Sequence, residues 1–131
     1  MQKVMAFGTF DTLHPGHTYA LKAAKKLGDY LVVIIARDKT VEKVKGRKPV
    51  FNEKIRLENL KHLGIADKVR LGSLGNKYQV IIDEKPDVIA LGYDQKFFVD
   101  DLKNVIDKNV RIIRLKPHKP GIYKSSKLRK D

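Results

Sequence analysis

Residues 8–17 read Gly-Thr-Phe-Asp-Thr-Leu-His-Pro-Gly-His and follow directly on a short apolar run, residues 4–7. Glycines at such a place let a ligand approach the backbone, and the free amides and positive dipole at the start of a helix favour a phosphate. His14 and His17 are three residues apart, so a segment that turns into a helix here can aim both imidazoles at one anion as hydrogen-bond donors. The plainer use of such a histidine is a turn or a helix cap. Asp11, His14 and His17 also supply nitrogen and oxygen donors for a metal. However, Pro15-Gly16 breaks the helical register that a two-histidine clamp relies on, so a dedicated transition-metal site is not expected. Nucleophilic hydrolysis has no support either: there is no Gly-x-Ser-x-Gly elbow, and Ser125-Ser126 sits in a basic tail. The Walker phosphate loop and the Gly-x-Gly-x-x-Gly fingerprint are missing as well.

The charge balance agrees with an anionic partner. Lys and Arg number 28 against 15 acids, a formal +13. Residues 37–48 hold six bases and two acids and residues 116–131 six bases and one acid, so most of the surplus lies in two stretches. That concentration points to a focused anion site, with a merely solvated lysine-rich surface as the bland alternative. Nucleic acid is not the expected partner, because the aromatics Phe7, Tyr30, Phe51, Phe97 and Phe98 fall in core-like or helical positions and are not interleaved with bases on an exposed face. Cysteine is absent, which excludes disulfides, thiolate metal sites and thiol chemistry.

At 131 residues the chain is expected to form one domain over residues 1–131. No run of about 18 apolar residues and no leader is visible, so a soluble cytoplasmic protein is expected, without a membrane partner. Apolar β-rich runs at 4–7, 30–36, 69–71, 88–92 and 110–115 alternate with helical periodicity at 17–27, 53–63, 78–82 and 97–106. The run 30–36 is apolar almost throughout, as a strand covered on both faces must be. The pattern predicts an α/β, Rossmann-like open parallel sheet of five strands with helices on both faces, its ligands bound beyond the carboxyl ends of the strands. The basic stretch 37–48, closed by Pro49, is expected to be a mobile loop over the sheet edge.

At this point the chain resembles a known family, the HxGH nucleotidyltransferases. The decapeptide 8–17 carries the likeness, and segments at 27–33, 36–41, 45–49, 53–56, 86–95 and 123–129 extend it in family order over nearly the whole chain. The resemblance implies transfer of a nucleotidyl group: an acceptor phosphate attacks the α-phosphate of a nucleoside triphosphate in line, and pyrophosphate leaves. His14, His17 and Lys45 would be the catalytic residues. Gly8, Thr9 and Phe10 would hold phosphates through backbone amides, while Gly92 and Asp94 would contact base and ribose and Ser125 and Ser126 the β- and γ-phosphates. Asp11, Lys43, Arg47 and Tyr93 would serve the acceptor, although the sequence does not say which of Lys43, Lys45 and Arg47 matters most. Magnesium would accompany ATP or CTP.

Two substrates remain in view. The segment 27–33 resembles glycerol-3-phosphate cytidylyltransferases, which use CTP to make a CDP-alcohol. Segments 36–41, 45–49, 71–77 and 91–95 look more like archaeal-type FAD synthases, which join AMP to FMN, and this is the expected activity. For a flavin, Phe10, Phe51, Tyr93 and Phe97 are the aromatics that could wall a flat slot. The chain departs from the family pattern in lacking the arginine shortly before the serine motif and the C-terminal cysteines often found in that group, and five residues follow Ser126. Oligomeric state is not fixed by the sequence, and a homodimer is the assembly carried forward.

Overall fold

A computed structural model describes residues 2–75, 78–92 and 109–115. In chain order the elements are β1 (Lys3–Gly8), α1 (Pro15–Lys25), β2 (Tyr30–Ile35), α2 (Asp38–Lys45), α3 (Glu53–Leu63), β3 (Lys68–Leu71), α4 (Gln79–Glu84), β4 (Val88–Leu91) and β5 (Arg111–Arg114). The five strands form one parallel sheet in the order β3-β2-β1-β4-β5. The expected helix at 97–106 and the tail from 116 lie outside the described residues.

Strand alternation sorts the core into two layers. Val4, Ala6, Leu31, Val33, Ile35, Val88 and Ala90 face Leu21 and Ala24 of α1 and Leu60 of α3. Met5, Val32, Ile34, Ile89 and Leu91 face Val80 and Ile81 of α4 on the other side. Right-handed crossovers explain the division. The chain steps from β1 through β2 to β3 in one direction and then returns past β1 to β4 in the other, so helices land on opposite faces. The reversal lies between β1 and β4, and the loops leaving both strands open at the same end of the sheet, which is where such folds bind ligands.

Strand register is fixed at the amino ends by a device the apolar pattern does not reveal. Asp29, Asp67 and Asp87 each precede a strand, and each makes a reciprocal pair with a neighbouring chain segment. Their amides donate to the carbonyls of Gln2, Leu31 and Lys3 at 2.8 Å in each case. Their carboxylates accept the amides of those same residues, again at 2.8 Å. A one-residue slip would break these pairs and turn every core side chain outward.

The basic stretch 37–48 is not a mobile loop. Residues Asp38–Lys45 form α2, with Val41 buried and Gly46 in the left-handed conformation closing the helix. Asp38 in the first turn and Lys43 and Lys45 in the last complement the helix dipole, so the charges that made the segment look like a loop support a helix. Its first amide, Asp38 N–H, is capped from outside by Glu53 Oε1 at 2.8 Å.

One buried carboxylate stabilises the opposite face. Glu84, at the end of α4, accepts from Lys68 Nζ at 2.7 Å and Arg70 Nη1 at 2.8 Å and pairs with Lys3 Nζ at 3.0 Å. Burial alone would push its pKa up, but the bonds from Lys68, Arg70 and Lys3, with the charge of Lys3, outweigh this and hold it at about 2, down from 4.5. A carboxyl depressed in the folded state adds stability above its unfolded pKa and loses it as pH falls. Glu84 is therefore expected to contribute about 3 kcal/mol at neutral pH, lost between roughly pH 5 and pH 2. Urea unfolding of Glu84→Gln against wild type should show a deficit at pH 7 that closes towards pH 2, and a deficit independent of pH would contradict this. No helix among the described residues is long and apolar enough to cross a membrane.

Candidate active site

The turn from β1 into α1 depends on two close approaches. Phe10 adopts φ +51° and folds its ring back over Gly8, where an added Cβ would lie 2.5 Å from Phe10 Cε2. At Gly16 an added Cβ would sit 2.8 Å from His14 Cε1, so the glycine is what lets the His14 ring lie against the helix start. Phe10 is buried in the core beside α1, and its ring meets His17 edge-on with centroids 5.4 Å apart.

Both histidines cap α1, and the way they do so decides where their protons are. His14 Nδ1 accepts the amide of Gly16 at 3.0 Å, and His17 Nδ1 accepts the amide of His14 at 3.3 Å, a reciprocal capping box built from two imidazoles. A ring nitrogen that accepts carries no proton, so the proton each ring has to donate sits on Nε2. The rings stack with centroids 3.9 Å apart at 28°. Burial, the adjacent His14 ring and the Lys45 ammonium together hold the His17 pKa down at about 4. At neutral pH His17 is therefore uncharged. Capping and donation do not compete: the Nδ1 atoms hold the helix, and the Nε2–H groups remain to meet an anion.

Around this pair, ionic side chains tie three loops together. Asp11 accepts the amides of Val50 at 2.7 Å and Phe51 at 2.8 Å. Burial would raise its pKa, but these bonds and the charges of Arg56 and Lys45 keep its carboxyl below the usual range. Arg56 is fully buried on α3 and donates to Phe51 O at 3.0 Å, Thr9 O at 2.8 Å and Asp38 Oδ1 at 2.7 Å. Arg37 donates to Glu53 Oε2 at 3.1 Å and to Gly72 O at 3.2 Å. The loops after β1, β2 and β3 thus form one bonded framework under the histidines.

The structure brings Gly8, Thr9, Phe10, Asp11, His14, His17 and Lys45 to one end of the sheet. Lys45 acts electrostatically on both His17 and Asp11. Lys43 and Arg47 are exposed to either side of it. Gly92 leaves β4 at the same end, its carbonyl accepting from Arg114 Nη1 at 2.8 Å. Tyr93, Asp94, Ser125 and Ser126 lie outside the described residues, as does Phe97. One expectation changes: the Phe10 ring is core, not the wall of an open slot. Asp11, expected to serve the acceptor, accepts one backbone amide on each carboxylate oxygen and so also holds a loop in place. Arg56 is the residue sequence reasoning passed over; its segment stood among the family-like stretches, but a lone arginine at helical spacing carries no sign that it will be buried. Among the described residues no three His, Asp or Glu side chains are grouped to hold a metal ion.

Comparison with known proteins identifies the lineage. A model described as cytidylyltransferase-like matches residues 5–131. The chain belongs to the cytidylyltransferase-like family. Among its curated relatives in that family is a protein named FAD synthase from Thermoplasma volcanium, 44% identical over 99% of this chain and 93% of its own length. Another FAD synthase, from Aciduliprofundum boonei, is 46% identical over 90% of this chain and 80% of the relative. A solved structure described as the lipopolysaccharide core biosynthesis protein from Thermoplasma volcanium GSS1 superposes with a TM-score of 0.83 at 44% identity, covering 91% of this cytidylyltransferase-like chain and 99% of the other. The nucleotidyltransferase reading and the five-stranded parallel sheet therefore stand.

Proposed function

We propose that the chain transfers AMP from ATP to the phosphate of FMN, giving FAD and pyrophosphate. The observation that carries this reading is its likeness, over almost its whole length, to relatives named FAD synthase. The placement of the motifs supports it. The segment resembling cytidylyltransferases, 27–33, runs from the turn after α1 into β2, with Asp29 paired to Gln2 at the amino end of the sheet, opposite the end that carries the histidines. The segments resembling FAD synthases, 36–41 and 45–49, lie beyond the carboxyl end of β2, beside the histidines. One neighbour's name speaks of lipopolysaccharide core biosynthesis, but nothing among the described residues of this site favours a saccharide acceptor.

In this reaction a phosphate oxygen of FMN forms a bond to the α-phosphorus as the bond to the β-phosphate oxygen breaks. The nucleophile is already an anion, so no general base is required, and the protein's task is to hold and neutralise charge. His14 and His17 donate from Nε2 to the reacting phosphate, the amides of the 8–10 turn and the start of α1 receive phosphate oxygens, and Lys45 balances the leaving pyrophosphate. Magnesium enters with the triphosphate as part of the substrate. The donors fit that role, since the Nδ1 atoms of His14 and His17 are held in the helix cap. Gly92, Asp94, Ser125 and Ser126 complete the nucleotide contacts, Lys43, Arg47 and Tyr93 flank the acceptor, and the reaction belongs in the cytoplasm.

The test is pyrophosphate release with ATP plus FMN, with CTP plus glycerol 3-phosphate, and with each triphosphate alone. Release with the first pair is expected, and release confined to the second would replace FAD synthesis with CDP-alcohol formation. A further expectation concerns Lys45. Replacing it with alanine should weaken triphosphate binding roughly tenfold or more, the worth of a charge-assisted contact. Replacing Lys61, an exposed base paired with Glu58 on α3, should leave binding unchanged, and added salt should narrow the difference. Equal losses at the two positions in a calorimetric titration would favour a merely solvated basic surface.

A further inference from the structure

Five large apolar side chains stay exposed among the described residues: Val44, Val50, Ile55, Leu74 and Ile82. Scattered apolar surface is ordinary in soluble proteins and by itself means little. Four of these five, however, lie on segments that follow the carboxyl ends of β2 and β3, the end of the sheet that carries the histidines. Val44 precedes Lys45 in the last turn of α2. Val50, 68% exposed, is held by its amide to Asp11, while Ile55 precedes Arg56 on α3. Leu74 follows Gly72, whose carbonyl anchors Arg37. Lys43, Lys45, Arg47 and Lys48 are interleaved with Val44 and Val50 along the same exposed segment. An apolar rim threaded with cations complements a ligand with an apolar body and a phosphate, and a flat ring system that carries a phosphate is one such ligand.

We propose that this rim receives the isoalloxazine ring of FMN, with Val44 and Val50 as its aliphatic wall and the interleaved bases facing the phosphate end. The assignment rests on the reading of FMN as acceptor and names the part of the chain that selects it. Of the aromatics expected to wall a slot, Phe10 is committed to the core, Phe51 is half-buried beside Val50, and Tyr93 and Phe97 lie outside the described residues. A small phosphorylated alcohol has no apolar body to cover these valines, so the rim distinguishes a flavin from such an acceptor.

The experiment compares wild type with the double variant Val44→Ser, Val50→Ser by quenching of flavin fluorescence, with FMN and riboflavin titrated separately and magnesium-ATP titrated by calorimetry. Both side chains are exposed, so the urea midpoint should not move. FMN and riboflavin should each bind about tenfold more weakly to the variant, since both carry the ring, while ATP binding stays within about twofold. Equal FMN affinity in the two proteins would overturn the placement. So would a dimer in wild type that dissociates in the variant with FMN affinity unchanged, which would make the rim a contact between copies. If wild type forms FAD while the variant keeps its FMN affinity, the placement fails and AMP transfer stands; if wild type binds no FMN, both fail.

Discussion

Replacing His14 with asparagine is expected to leave α1 folded and to lower turnover about a hundredfold. Asparagine is among the best N-cap residues, and its Oδ1 can take the place of His14 Nδ1 as acceptor of the Gly16 amide. It has no atom that reaches where Nε2–H projects, so the variant keeps the cap and loses the donor. A donor aimed at charge that grows in the transition state is worth about 3 kcal/mol, which corresponds to the hundredfold loss. His17→Asn carries the same expectation through the His14 amide. His14→Ala removes cap and donor together and should cost about 1 kcal/mol of stability as well. Circular dichroism and urea unfolding beside steady-state kinetics separate the two roles. Wild-type turnover in either asparagine variant would remove the histidines from the mechanism, and a turnover loss that tracks unfolding would reduce them to caps.

The neutral state of His17 adds a pH dependence with a definite sign. The ring titrates near 6.5 when unfolded and at about 4 in the folded protein, so between those values the unfolded chain binds more protons. Stability is therefore lost as pH falls through that window, and turnover should show no limb from His17 protonation near pH 6 to 7.

The largest expected loss of stability is at Arg56. Its guanidinium is wholly buried and joins the turn after β1, the start of α2 and the turn before α3 through Thr9, Asp38 and Phe51. Arg56→Met would leave two carbonyls and a partly buried carboxylate without their donor, and breaking a buried pair of this kind costs about 3 to 5 kcal/mol. Arg56→Lys should recover little, because an ammonium cannot reproduce a fork aimed at three acceptors. A urea midpoint corresponding to a loss below about 1 kcal/mol would mean that the framework does not depend on Arg56.

Much of this architecture was legible in the sequence because it rests on period and punctuation. Residues 30–36 are apolar without alternation, and β2 is buried on both faces of the sheet. Gly64 ends α3 where the periodicity stops. What escaped had a different physical origin. Helix α1 begins at Pro15, ahead of the expected residue 17, because a histidine serves as its cap. Helix α2 has one buried apolar residue, Val41, so hydrophobic period could not reveal it, and its stability comes from dipole-matched charges and a cap lent by Glu53. Likewise, the pairing of Asp29, Asp67 and Asp87 with neighbouring chain segments, and the burial of Arg56, are tertiary events between residues distant in sequence. The histidine pair was readable as a phosphate site, but the commitment of Nδ1 to the backbone, which leaves Nε2 as the donor, emerges from the geometry alone.

FAD formation by this chain can be read directly as product. The protein is incubated with magnesium, FMN and either ATP or CTP, and the flavins are separated by chromatography. FAD formed with ATP, none with CTP, and none when riboflavin replaces FMN is the predicted result. No flavin product with either triphosphate, together with turnover of CTP on a phosphorylated alcohol, would contradict it.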